Sequence, residues 1–158
     1  MKPAVLNASP LIVLARAGYL DLLPDLFDPV VIPRAVINEI IVGPADDSAV
    51  TFLSRTGWIR VVDLAPALPA LPIWPLGQGE SEVLEYAQRN PGTVAILDDK
   101  AARRVAETIN VERTGTLGLL VAAARKGLLP SLAQAIDVVR QCGLYIDREI
   151  ESTLLRSK

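Results

Sequence analysis

The stretch VLNASPLIVLA, residues 5–15, decides how this chain is read. An apolar run opens at Ala4, stops at Asn7 and passes through Ser9-Pro10 into a second apolar segment. Serine before proline is the composition of a capped helix start: the hydroxyl accepts from orphan backbone N–H groups, and the proline ring presets a helical φ. A buried strand breaking directly into a helix is the first half of a βαβ unit. In open parallel sheets, ligands bind beyond the carboxyl ends of such strands. Asn7 therefore stands where a site would be built.

Working outward, strand-like runs recur at 4–6 (AVL), 30–32 (VVI), 58–62 (WIRVV) and 93–97 (TVAIL), with a shorter candidate at 110–113 (NVER). Helical patterns lie at 10–17, 20–27, 33–41, 46–56, 79–89, 99–108, 115–126 and 130–141, with Pro33 and Pro130 near helix starts. Strands alternating with helices predict an α/β fold, its mostly parallel sheet covered on both faces. Pro66, Pro69, Pro72 and Pro75 recur every third residue. That spacing suits an extended connector between the strand at 58–62 and the helix at 79–89, with a polyproline II ligand as the other reading. No repeat or second domain is visible. The chain reads as one domain over 1–158, with a core at 3–127 and a helical C-terminal region at 128–158.

Composition narrows the chemistry. With 158 residues, 51% of them hydrophobic, the chain can bury a substantial core. Its longest apolar run, 116–124, is short of the roughly 20 residues that cross a bilayer. No targeting segment is recognisable, so a cytoplasmic, non-membrane protein is expected. The absence of histidine removes Ser-His-Asp and Cys-His hydrolases and zincin helices. A single cysteine, Cys142, removes an internal disulfide and thiolate zinc clusters. Catalysis would have to run on carboxylates, hydroxyls, Lys/Arg or a bound cofactor. The net charge of −2 argues against a general nucleic-acid binder. Residues 98–126 nevertheless carry six basic against four acidic side chains, a local charge of +2.

The acids supply the remaining signal. Asp98 and Asp99 close the apolar strand TVAIL, Glu39 lies beside the buried stripe of IPRAVINEI, and Glu80 follows Gly77 and Gly79 at a helix start. Each has an ordinary explanation: Glu80 complements a helix dipole, and Asp98 caps the helix at 99–108. Together, at strand ends and helix starts along one sheet edge, they would repel one another and raise their own pKa values unless a hard divalent cation neutralised them. Mg²⁺ or Mn²⁺ suits such a set, and metal-activated water attacking a phosphodiester suits the cation.

In order and spacing, NASPLI (7–12), VINEI (36–40), GQGESE (77–82), AILDDKAAR (95–103) and TGTLG (114–118) resemble the motifs of PIN domains. The likeness is to the bacterial and archaeal subgroup reading DTSPLI, a valine-rich helix ending in glutamate, GEGESE, LIDDxxAR and TGTLG. It covers residues 4 to about 127, and the rest is consistent with that subgroup's C-terminal helices. The resemblance implies a three-layer α/β/α fold and a Mg²⁺- or Mn²⁺-dependent endoribonuclease, often the toxin of a VapC-type toxin-antitoxin pair. It implies an RNA substrate, an antitoxin partner and a homodimer. Its acids fall on Asn7, Glu39, Glu80 and, by a spacing of eighteen, Asp98 rather than Asp99. Glu39, Glu80, Asp98 and Asp99 are thus the catalytic candidates, and Asn7, Glu39, Glu80 and Asp98 the metal ligands. Ser9, Thr114 and Thr116 are expected to support them, and Lys100, Arg103 and Arg104 to approach the RNA backbone or simply to form a solvated helix face.

Asn7 departs from the pattern, since an amide can ligate a cation but carries no charge and cannot act as a base. Three readings follow: a domain that has lost activity and binds RNA or a protein partner, a weakened nuclease, or an asparagine introduced to allow expression of a toxic enzyme. The non-enzymatic module is the competing hypothesis, and the positive mean hydropathy of +0.35 suits a chain that buries surface in an oligomer. A nucleotide-binding fold is set aside because no G-x-G-x-x-G or P-loop follows the first strand.

Overall fold

The computed structural model describes residues 1–42, 47–64, 75–146 and 148–156, with only the backbone described at 47, 48 and 148. Five strands, β1 (Ala4–Leu6), β2 (Val30–Pro33), β3 (Ile59–Val62), β4 (Val94–Ile96) and β5 (Arg113–Thr114), form one parallel sheet in the order β3-β2-β1-β4-β5. The helices are α1 (Ala8–Ala17), α2 (Leu22–Leu26), α3 (Arg34–Val42), α4 (Asp47–Arg55), α5 (Gln78–Arg89), α6 (Lys100–Thr108), α7 (Thr116–Arg125), α8 (Leu132–Gln141) and α9 (Arg148–Arg156). Helix α5 packs on β1, β2 and β4 and beside α6, while α1 packs with α7 and α8. Right-handed crossovers put the helices that lead away from β1 in opposite directions on opposite faces, giving the three-layer α/β/α arrangement.

β1, β2 and β4 are buried throughout, as near-continuous apolar strands covered on both faces must be. β1 pairs with β2 through Val5 and Val31, and with β4 through Val5 and Ala95. Strand order reverses direction between β1 and β4, so a crevice opens at their carboxyl ends, where Asn7 and Asp98 emerge. No helix among the described residues is long and apolar enough to cross a membrane.

Some local expectations shift. The strand expected at NVER (110–113) begins three residues later, at Arg113–Thr114, because Asn110 takes a left-handed φ of 57° and Val111 N–H returns to the Ala106 carbonyl, closing α6. The helix expected at 20–27 shortens to Leu22–Leu26. Ser131, rather than Pro130, begins α8, its hydroxyl accepting from Gln134 N–H at 3.2 Å. Pro66, Pro69 and Pro72 lie outside the described residues.

Candidate active site

Asn7 N–H donates to the Ile96 carbonyl at 3.2 Å, which ties the end of β1 to β4, and its own carbonyl accepts from Leu11 N–H at 3.3 Å to begin α1. Asn7 is therefore the N-cap, with extended φ and ψ, yet its side chain makes no capping bond. Ser9, expected to cap, is the second helical residue, and Pro10 the third, where a missing N–H still removes only an orphan donor. Asn7 is 4% exposed, and its Oδ1 has no hydrogen-bond partner among the described residues. Leaving such an oxygen unpaired in a dry interior costs about 1–3 kcal/mol.

Glu39 projects from the exposed side of α3, opposite the stripe of Ala35, Val36, Ile37 and Ile40. Its Oε1 accepts from Gly79 N–H at 2.9 Å, satisfying a first-turn donor of α5. The approach leaves no room for a side chain: a Cβ on Gly79 would stand 2.5 Å from Oε1 and 2.8 Å from Cδ. Next in sequence, the half-buried Glu80 has its pKa raised above the ordinary 4.5. Burial is the largest cause, and the negative charge of Asp99, then that of Glu39, adds to it, against a backbone hydrogen bond from Gly77. Three of the expected acids thus share one electrostatic neighbourhood.

The two aspartates after β4 divide their duties. Asp98 Oδ1 accepts from Thr116 N–H at 2.8 Å and Oδ2 from Thr116 Oγ1–H at 2.7 Å, fastening β4 to the start of α7. Gly115, at the N-cap of α7, is required here, because a Cβ would stand 2.8 Å from Asp98 Oδ1 and 3.2 Å from the Leu97 carbonyl. The cap of α6, expected at Asp98, is Asp99, whose Oδ2 accepts from Ala102 N–H at 2.9 Å. A one-residue shift follows from β4 ending at Ile96: Leu97 N–H bonds to the Thr114 carbonyl of β5, Asp98 reaches α7, and α6 begins only at Lys100. Of the two threonines, Thr116 touches a candidate acid, while Thr114 Oγ1 sits against Gly118.

Asn7, Ser9, Glu39 and Glu80 line a common cavity of about 430 Å³, which Arg16 and Cys142 also border. Lys100, Arg103 and Arg104 line a separate groove of about 210 Å³ with Glu107 and Arg113. Arg16 and Arg113 were not anticipated as site residues. The signal for Arg16 was present in the spacing, because Ser9, Ile12, Val13 and Arg16 recur at i, i+3, i+4 and i+7 on the cavity face of α1.

The family model DUF3368, PIN domain, matches residues 3–158. The chain belongs to this PIN-domain family. No curated protein matches it. The five-stranded parallel sheet between helices is consistent with the PIN fold, and membership suggests a nuclease-type function in general terms. PIN domains generally use divalent metal ions. Among the described residues, no three acids, histidines or cysteines already stand close enough to hold one. The donors on this PIN domain's sheet edge nevertheless suit such an ion in kind: a half-buried carboxyl, Glu80, whose pKa is raised by burial and by the nearby charges of Asp99 and Glu39, and a buried amide oxygen with no hydrogen-bond partner among the described residues.

Proposed function

We propose that this PIN domain is a metal-dependent endoribonuclease that acts at the crevice between β1 and β4. One observation carries the reading: Glu80 is held above its ordinary pKa partly by Asp99 and Glu39, in a cavity wall that also presents the unpartnered Oδ1 of Asn7. Mutual repulsion of this kind is what a hard divalent cation relieves. Mg²⁺ or Mn²⁺, held by Asn7, Glu39, Glu80 and an aspartate after β4, would supply activated water for phosphodiester hydrolysis.

The chain's own groups divide the remaining work. Gly79 N–H fixes Glu39, and Thr116 fixes Asp98. With both its oxygens already bonded to Thr116, Asp98 is suited to orienting the edge, while Asp99 lies in the field of Glu80. Ser9 faces the cavity, where its hydroxyl would orient a water or a neighbouring carboxylate. Thr114 Oγ1 donates to the Gly115 carbonyl at 3.4 Å, beside the N-cap of α7. Lys100, Arg103 and Arg104 approach the RNA backbone. The biological setting in this reading is the toxin of a cytoplasmic toxin-antitoxin pair, acting as a homodimer and restrained by an antitoxin.

Asn7 favours a second reading, a catalytically degenerate PIN module that binds RNA or protein, because the amide supplies no charge at the first ligand position. Incubating single-stranded RNA with Mn²⁺ and the wild type, Asn7→Asp or Glu80→Gln separates the two. The nuclease reading expects slow cleavage by the wild type, faster cleavage by Asn7→Asp and none by Glu80→Gln. Failure of Asn7→Asp to cleave would overturn it in favour of the binding module.

A further inference from the structure

The acids at the carboxyl edge are flanked by two cationic positions, and neither is needed to hold a metal or activate water. The first is Arg16, in the last turn of α1. It borders the cavity of Asn7, Glu39 and Glu80, and its Nη1 donates to the Cys142 carbonyl at 3.4 Å. The turn beyond α8 forms that wall: at Gly143, with φ of +107°, a Cβ would stand 3.8 Å from Arg16 Nη1. The cavity therefore has carboxylates and a guanidinium on one lining.

The second position is the groove along α6. Lys100, Arg103, Arg104 and Glu107 recur at i, i+3, i+4 and i+7 on one helix face, and Arg113 at the start of β5 completes the groove. Four cations face one acid, Glu107, which is mostly exposed and pairs with Arg113 at 3.4 Å. In a chain of net charge −2 this concentration is local rather than general. The groove begins beside the acids, since Asp98 Oδ1 and Arg103 Nη1 flank Gly115, lying 2.8 Å and 3.9 Å from where its Cβ would be.

A polyanion approaching an acidic edge is repelled at the centre and must be held on either side. We infer that a single RNA strand crosses the carboxyl edge of the sheet from Arg16 to the groove of Lys100, Arg103, Arg104 and Arg113, with backbone phosphates seated at both ends. Arg16 and Arg113 are then substrate-positioning residues. Guanidinium groups suit the task, because their fork of donors matches phosphate oxygens. The identity of the ligand rests on the nuclease reading, but its path is testable without cleavage.

The experiment measures fluorescence anisotropy of a labelled single-stranded RNA on the full chain, in EDTA, from about 50 to 200 mM salt. Each phosphate contact on a single strand contributes about 0.7 to the slope of log affinity against log salt concentration. Arg16→Gln and Arg113→Gln are each expected to lower the slope by about that amount and to weaken binding to all sequences alike. Arg16→Lys is expected to restore the slope, and Arg89→Gln, at the far end of α5, to leave it unchanged. Unaltered thermal melting shows that each variant is folded. Wild-type slope and affinity in both glutamine variants would overturn the path while leaving the nuclease reading standing. Absence of RNA binding by the wild type at the lowest salt would overturn it as well, and Mn²⁺-dependent cleavage by Asn7→Asp would still decide the nuclease reading separately.

Discussion

The two edges of the sheet are built to different standards. At the amino edge, Ala4 N–H reaches the Pro29 carbonyl and Val94 N–H the Pro3 carbonyl, both at 2.9 Å, and Lys2 pairs with Glu112 at 2.8 Å across the surface. At the carboxyl edge, a buried amide oxygen has no partner among the described residues, burial and then neighbouring carboxylates raise the pKa of Glu80, and two glycines are demanded by the close approach of Glu39 and Asp98. Departures from local rules thus gather at the carboxyl edge, where the proposed site lies, while the opposite edge satisfies them, as expected if function is what strains a fold locally.

Breaking the most tightly held contact at the carboxyl edge is expected to have the largest effect. Thr116→Val removes the hydroxyl bonded to Asp98 within a fully buried environment, and urea unfolding should show a loss of about 1.5–3 kcal/mol, typical of a hydrogen bond to a charged group. Gly79→Ala forces a methyl group against Glu39 and is expected to cost about 1–3 kcal/mol. In the same variant, displacement of Glu39 should weaken any stabilisation by Mn²⁺, read as a smaller metal-dependent rise in melting temperature.

Glu80→Gln is expected to act in the opposite direction. A carboxyl whose folded pKa lies above the unfolded value contributes stability below the unfolded pKa, and loses it as pH rises through the folded one. Wild-type stability should therefore fall as pH rises from near 4.5 through the raised folded value, and Glu80→Gln should lack that fall. Unfolding in chelator across this window checks the sign, and a variant less stable than wild type at neutral pH would refute a Glu80 carboxyl destabilised by burial and by its acidic neighbours. The smallest effect belongs to the amino edge. Lys2→Ala breaks an ion pair whose side chains are 61% and 51% exposed, and a change below about 1 kcal/mol that shrinks with added salt is expected.

Much of the fold was legible because its signals are local. AVL, VVI and TVAIL are strands in the structure because three central parallel strands must be apolar on both faces, and that requirement is written in consecutive residues. The edge elements were less legible. NVER has strand-like composition, but Asn110 accepts a left-handed turn and spends the first part of that segment closing α6. The candidate site was legible as a set of positions after strands and at helix starts. Its internal assignments were less so: spacing favours Asp98 over Asp99 as the acid after β4, but the contact of Asp98 with Thr116, eighteen residues away, and the capping of α6 by Asp99 emerge only in the fold.

The sequence by itself determined the alternation of strands and helices, the absence of histidine and thiolate-cluster chemistry, and the presence of asparagine at the end of the first strand. Hydrophobic period and residue inventory are properties of short windows, so a single chain suffices to read them. Tertiary structure alone decided that β1 and β4 are neighbours, that Gly79 must be bare to receive Glu39 from forty residues earlier, and that Asp98 is fastened to Thr116. Those facts depend on which helix faces which after the sheet closes, and no local propensity encodes the partner of a side chain across that distance.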